Sequence, residues 1–166
     1  MAISRRYLLG AAAVLGGAAV SWRLTAPTAA RTPEEAFPFS LTDAQWRARL
    51  SAAQYSILRG HGTEQAFTSP LNDEHREGAF NCAGCDVPLF SSTTKFDSHT
   101  GWPSFWQPLE QAVGTRLDTS YGMVRTEVHC RRCGGHLGHV FNDGPPPTGL
   151  RYCINGLALT FAPAGA

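Results

Sequence analysis

The 166-residue sequence lacks an excess of either charge: 14 Lys plus Arg against 13 Asp plus Glu leave a formal +1. With no basic field there is no electrostatic footprint for a polyanion, so no nucleic-acid partner is expected. Low-complexity tracts are absent, and nothing repeats internally beyond two short cysteine pairs. Cysteine itself is scarce, five residues in all, so each has to be accounted for. What is present is a chain with 43% hydrophobic residues, about the size of one ordinary domain and able to bury a core. Small-molecule or peptide chemistry is the class of function left open.

Long apolar runs are also missing. The longest uncharged stretch, Tyr7 to Trp22, follows the paired Arg5 and Arg6 and ends before Arg23. It is shorter than the roughly 20 apolar residues that span a bilayer comfortably, and it is rich in Ala and Gly. Residues 1–30 therefore resemble a cleaved twin-arginine export signal. Thr28 and Ala30 offer a small-residue processing site, so the mature chain is expected to begin near Arg31. An uncleaved anchor or a lone buried helix is the alternative, and the anchor is the only case in which a membrane enters. Periplasmic export is the expected localisation.

Residues 31–40, with Pro33 and Pro38, read as a linker, and residues 41–166 as the functional domain. Two short helices open that domain. Thr42 with Gln45, and Ser51 with Gln54, have the spacing of capping boxes, and Gly60 is expected to stop the second helix. After His61 the pattern changes to short β-rich runs broken by Gly, Pro, Asn and Asp: GAFNC, VPLFSS, GMVRTEVHC, HLGHVF and LRYCINGLALTF. These read as short antiparallel strands, giving a mainly β fold with short N-terminal helices.

Four cysteines form two CxxC pairs, Cys82/Cys85 and Cys130/Cys133, with 44 residues between the pairs. Each pair lets one turn present two sulfurs to a single ion about 2.3 Å away, and two such turns close a tetrahedron. One structural zinc per chain is the expectation, in a closed shell that fastens strands and activates no water. Two disulfides, which an oxidising compartment favours, are the alternative. A zinc ribbon that binds a partner and does no chemistry is a second alternative. It calls for a basic face, for which the chain has few cations.

The fifth cysteine, Cys153, has no partner at short spacing. If RYCINGLALTF is a strand, Arg151, Cys153 and Asn155 share one face while Tyr152 and Ile154 take the other. Past Gly156, Leu157, Leu159 and Phe161 fall on the parity of Cys153, so Gly156 marks a bulge or the cysteine's face is half buried. A buried hydrophobic role is the plain reading of a free cysteine. An unpaired thiol in an exported protein is a liability unless used, and Arg151 nearby is expected to lower its pKa. His136 and His139 are too close together and too polar for an ordinary core strand, and read as functional groups or as structural histidines or spare metal ligands. Trp102, Phe105 and Trp106 cluster around Pro103, as core aromatics or a binding wall.

Together KFDSHTGWPSFWQP, HLGHVFNDG, RYCIN and the two CxxC pairs resemble methionine sulfoxide reductase B, from about Thr42 to Phe161. The resemblance implies a β-tent fold of two antiparallel sheets, zinc on the side away from the active site, and reduction of methionine-(R)-sulfoxide in oxidised peptides or proteins by a monomer. By the same resemblance Cys153 matches the nucleophile and Asn155 a substrate-orienting asparagine. Trp102 matches the ring that contacts the substrate's S-methyl group, and His136 and His139 match pocket histidines that handle the sulfoxide oxygen. Many members carry a second, resolving cysteine directly before GWPSF, where this sequence has Thr100. With four cysteines committed to metal, an external thioredoxin-like or small thiol is expected to restore Cys153.

Overall fold

A computed structural model describes residues 36–165, and the expected export signal lies outside them. Helix α1 (Asp43–Arg49) and helix α2 (Ala52–Leu58) both begin with the expected capping boxes. The side chain of Thr42 accepts from the Gln45 N–H, and that of Ser51 from the Gln54 N–H. Helix α2 ends at Leu58, and the left-handed residue that follows is His61, φ 54°, rather than Gly60. The end of the proline-rich segment is docked. Phe39 donates its N–H to Arg132 O and packs edge-on against Trp46, and Phe37 meets the ring of His129.

Among the described residues nine short strands form two antiparallel sheets. The smaller has the order β2-β1-β9, made of β1 (Gly78–Cys82), β2 (Pro88–Ser91) and β9 (Leu159–Pro163). The larger has the order β3-β4-β8-β7-β6-β5. Its members are β3 (Lys95–Phe96), β4 (Ser104–Phe105), β5 (Val113–Asp118), β6 (Arg125–Cys130), β7 (His136–Phe141) and β8 (Arg151–Ile154). The core is largely aromatic and aliphatic, with Phe80, Phe90, Phe105, Leu89, Leu137 and Ile154 fully buried. Phe90 stacks on Phe105 at 4.4 Å between centroids, while Phe80 meets Phe105 edge-on. No helix among the described residues is long and apolar enough to cross a membrane.

The stretch LRYCINGLALTF is two strands, not one bulged strand. β8 pairs with β4 and β7 in the large sheet; β9 pairs with β1 in the small one. Between them lies a single 3-10 turn, Gly156–Ala158. The reason is the buried carboxyl of Glu64, whose two oxygens accept from the N–H groups of Gly156 and Leu157. Those two donors are therefore satisfied outside any ladder, and the chain leaves one sheet for the other. The expected alternation holds before that turn: Ile154 is in the core, Tyr152 packs against it, and Cys153 faces away.

Candidate active site and four-cysteine cluster

Cys153 lies on β8, with Ser104 of β4 opposite on one side and His139 of β7 on the other. Its position depends on Gly138: a Cβ there would meet Cys153 O at 2.0 Å, so only glycine lets β7 run this close to the cysteine's backbone. β7 also contains a bulge. Glu127 pairs with His139 and Val128 with Gly138, but His129 pairs with His136, leaving Leu137 as the extra residue. Simple alternation would send His136 and His139 to opposite faces. The bulge instead brings their rings to 5.4 Å between centroids.

Cys153 is half buried in a pocket of about 190 Å³ that it shares with Trp102, His139, Asn155, Thr63 and Phe141. The indole Nε1 of Trp102 donates to Glu64 O at 3.1 Å, which fixes the ring as one wall. Asn155 is buried and its amide is engaged at both ends: Oδ1 accepts from the Glu64 N–H at 2.9 Å and Nδ2 donates to Leu137 O at 3.0 Å. It thus ties the pocket floor together as well as lining it. His136 does not reach this pocket. It is buried beside it and lines a larger adjoining cleft of about 640 Å³.

Each histidine is backed by a carboxylate. His139 Nε2 is 2.7 Å from Asp118 Oδ2, and His136 Nδ1 is 2.7 Å from Glu127 Oε1. The Ser120 side chain and N–H, with His139, hold Asp118 well below the usual carboxylate range. Burial opposes ionisation of Glu127, but bonds from His136, His61 and Arg116 outweigh it and hold its pKa low. Ionised acids only accept, so His139 carries its hydrogen on Nε2 and His136 on Nδ1. Burial holds the pKa of His139 below its ordinary value despite Asp118.

The expected lowering of the Cys153 pKa by Arg151 is outweighed. Burial pushes this thiol up, while the Thr100 hydroxyl and Arg151 only oppose that shift. Arg151 is itself held in a two-point bond with Asp143, at 2.9 and 2.8 Å, above the ring of Phe141. Thr100 Oγ1 lies 3.8 Å from Cys153 Sγ, at the end of a hydroxyl chain through Ser98 to Ser104.

Cys82, Cys85, Cys130 and Cys133 converge with their sulfurs within 4.8 Å of one another, all buried. Cys82 Sγ is 3.7 Å from Cys133 Sγ, and Cys85 Sγ is 3.6 Å from Cys130 Sγ. A disulfide needs about 2.05 Å, whereas a tetrahedron with bonds of ~2.3 Å spaces its sulfurs by ~3.8 Å. The cluster therefore fits a metal ion and not two disulfides. His61, Glu127 and His136 also converge. There, however, Arg116 already binds both oxygens of Glu127, so that trio is an ion-paired network and not a vacant chelate.

Sequence reasoning missed Glu64, Asp118 and Glu127. Their roles come from long-range pairing, and no local spacing marks them.

One half-buried thiol in an aromatic-walled pocket, with the four other cysteines gathered in a separate buried cluster that could hold a metal ion, fits a thiol-based oxidoreductase. Comparison narrows the class. The SelR domain matches residues 50–163. A peptide methionine sulfoxide reductase MsrB of Thiobacillus denitrificans is 64% identical over 123 residues, 74% of this chain and 93% of that protein. The protein of the same name from Agrobacterium fabrum is 57% identical over 123 residues, 74% of this chain and 91% of that one. That from Leptospira interrogans is 54% identical over 121 residues, 72% and 92% of the two chains. The chain belongs to the MsrB family.

Proposed function

We propose that this protein reduces methionine-(R)-sulfoxide in oxidised peptides and proteins, with Cys153 as nucleophile and an external thiol as reductant. The observation that carries the reading is Cys153 itself, the one thiol outside the four-cysteine cluster, in a pocket walled by Trp102 and His139. A sulfoxide side chain has an apolar methyl and a polar oxygen; the pocket offers an indole face for the first and, once His139 Nδ1 has taken up the thiol proton, an N–H donor for the second. Holding both ends fixes the hand of the sulfur.

With the Cys153 pKa raised and that of His139 lowered, the resting pair at neutral pH is thiol and neutral imidazole. The proton needed by the departing oxygen then comes from the thiol, with His139 Nδ1 free to accept and return it. Sulfur attacks sulfur, the S=O oxygen and the thiol hydrogen end on Cys153 as sulfenic acid, and methionine leaves. The substrate sulfur gains the two electrons that Cys153 loses. Two external thiols then restore Cys153, releasing water and becoming a disulfide. Thr100 beside Cys153 leaves no internal thiol to compete with them. His136 and Asn155 act from behind, the first by packing on His139 and the second by holding the pocket floor.

Zinc is the ion whose chemistry suits four buried thiolates, held by Cys82, Cys85, Cys130 and Cys133; bound there it supplies structural closure alone. Arg5 and Arg6 support export by the twin-arginine route, with cleavage after Ala30 and action in the periplasm. Replacing both by Lys should leave precursor in the cytoplasm, and unchanged export would point to another route.

The activity test is turnover of separate R and S epimers of an N-blocked methionine sulfoxide peptide with dithiothreitol. The R epimer alone should be consumed, and Cys153→Ser should abolish this while remaining folded. No turnover of either epimer would leave a non-catalytic zinc module.

A further inference from the structure

The β5–β6 hairpin carries an exposed apolar group that the chemistry above does not use. Leu117 is 70% exposed, Tyr121 85%, Met123 45% and Val124 79%. So many large apolar side chains on one hairpin tip exceed the scattered exposure normal for a surface and mark a contact site. The tip is also held in an uncommon shape. Tyr121 has φ 55° and ψ 25° and is followed by Gly122 at φ 70°, so the aromatic residue itself, and not only glycine, adopts the left-handed conformation. Bulky residues in that region mark sites where strain is kept for a purpose.

Leu117, Tyr121 and Met123 line the 640 Å³ cleft. That cleft is continuous with the Cys153 pocket, since Thr63, Arg125 and His139 line both. Its charges are paired with one another, although the buried Nε of Arg125 has no hydrogen-bond partner among the described residues. Asp118 is paired with Arg125 and His139, and Glu127 with Arg116, His61 and His136. No unbalanced charge remains in the cleft wall to select a charged partner, so its apolar rim decides what settles there. The small pocket takes one side chain, and the polypeptide bearing that side chain has to leave across the adjoining surface.

We infer that the Leu117–Tyr121–Met123 rim binds the residues flanking the oxidised methionine and selects apolar neighbours. The preferred substrate is then a methionine-(R)-sulfoxide set in an apolar stretch of polypeptide. This deepens the reductase reading and rests on it.

The experiment compares three R-epimer substrates: free N-acetylmethionine sulfoxide, a pentapeptide with serine on both sides of the sulfoxide, and one with leucine on both sides. The leucine peptide should exceed the serine peptide about tenfold in kcat/KM, equivalent to ~1.4 kcal/mol, chiefly through KM. A Leu117→Ser/Tyr121→Ser double variant should level the two peptides while turning over N-acetylmethionine sulfoxide at the wild-type rate. Equal kcat/KM for both peptides in the wild type, or a preference that survives the double variant, overturns the inference and leaves the reductase reading standing. A double variant equally impaired on N-acetylmethionine sulfoxide also overturns it. Failure to turn over any of the three overturns the reductase reading and the inference with it.

Discussion

Replacing Glu64 by Gln tests how the site is held. One oxygen of this buried carboxyl accepts from the Gly156 N–H at 2.5 Å and the other from the Leu157 N–H at 3.0 Å. An amide has one acceptor, so whichever way it is turned its NH₂ confronts one of those N–H groups. A charge-assisted bond contributes about 1.5–3 kcal/mol, and a buried donor left unpaired costs about 1–3 kcal/mol. The expected destabilisation is roughly 3 kcal/mol. The same change should reach the chemistry, because the Glu64 N–H binds Asn155 and the Glu64 carbonyl binds the Trp102 indole. Urea denaturation reads the first effect as a lower midpoint at unchanged slope. Steady-state turnover of an R-sulfoxide peptide reads the second as a loss of at least tenfold in kcat/KM. A midpoint shift worth less than about 1 kcal/mol, with kcat/KM unchanged, would refute the clamp.

Cys82→Ser should release the metal and leave the domain largely unfolded, because closure of the cluster and folding are linked; metal analysis with far-UV circular dichroism checks this, and a folded, metal-loaded variant contradicts it. Because the Cys153 pKa is raised by burial, its alkylation rate by iodoacetamide should still be climbing above pH ~8.5, the ordinary thiol value. A plateau already reached at pH 7 would mean that Arg151 and Thr100 prevail over burial. Thr100→Cys should place a second thiol beside Cys153, given the present 3.8 Å approach of Thr100 Oγ1. One substrate equivalent should then produce, by mass, a disulfide between Cys153 and the introduced thiol, and a sulfenic acid that persists beside that thiol would show the approach to be unusable.

The parts legible in the sequence were those written locally. Both capping boxes recur at the predicted residues, since Thr42/Gln45 and Ser51/Gln54 each need only a spacing of three. GAFNC and HLGHVF are strands with the predicted ends, and the two CxxC pairs meet as their spacing required. Strands β3 and β4 were not legible because they are two residues long and defined only by their partners. The division of LRYCINGLALTF into β8 and β9 was hidden because its cause, Glu64, is 92 residues away from Gly156. The face shared by His136 and His139 was equally hidden, because the bulge at Leu137 reverses simple alternation. The direction of the Cys153 pKa is hidden from the sequence for a related reason. Arg151 is adjacent in sequence, but burial among residues from β4, β7 and the Trp102 loop is a property of the assembled fold.

The central claim is that Cys153 alone carries the redox chemistry and has no internal resolver. Reduced, metal-loaded protein should be mixed with one equivalent of an R-sulfoxide peptide without reductant, trapped with dimedone, and analysed for peptide mass and bound metal. The prediction is one equivalent of methionine peptide, one dimedone adduct on Cys153, and the metal of the four-cysteine cluster fully retained. A disulfide between Cys153 and Cys82, Cys85, Cys130 or Cys133 with metal released, or methionine formed with Cys153 unmodified, would contradict it.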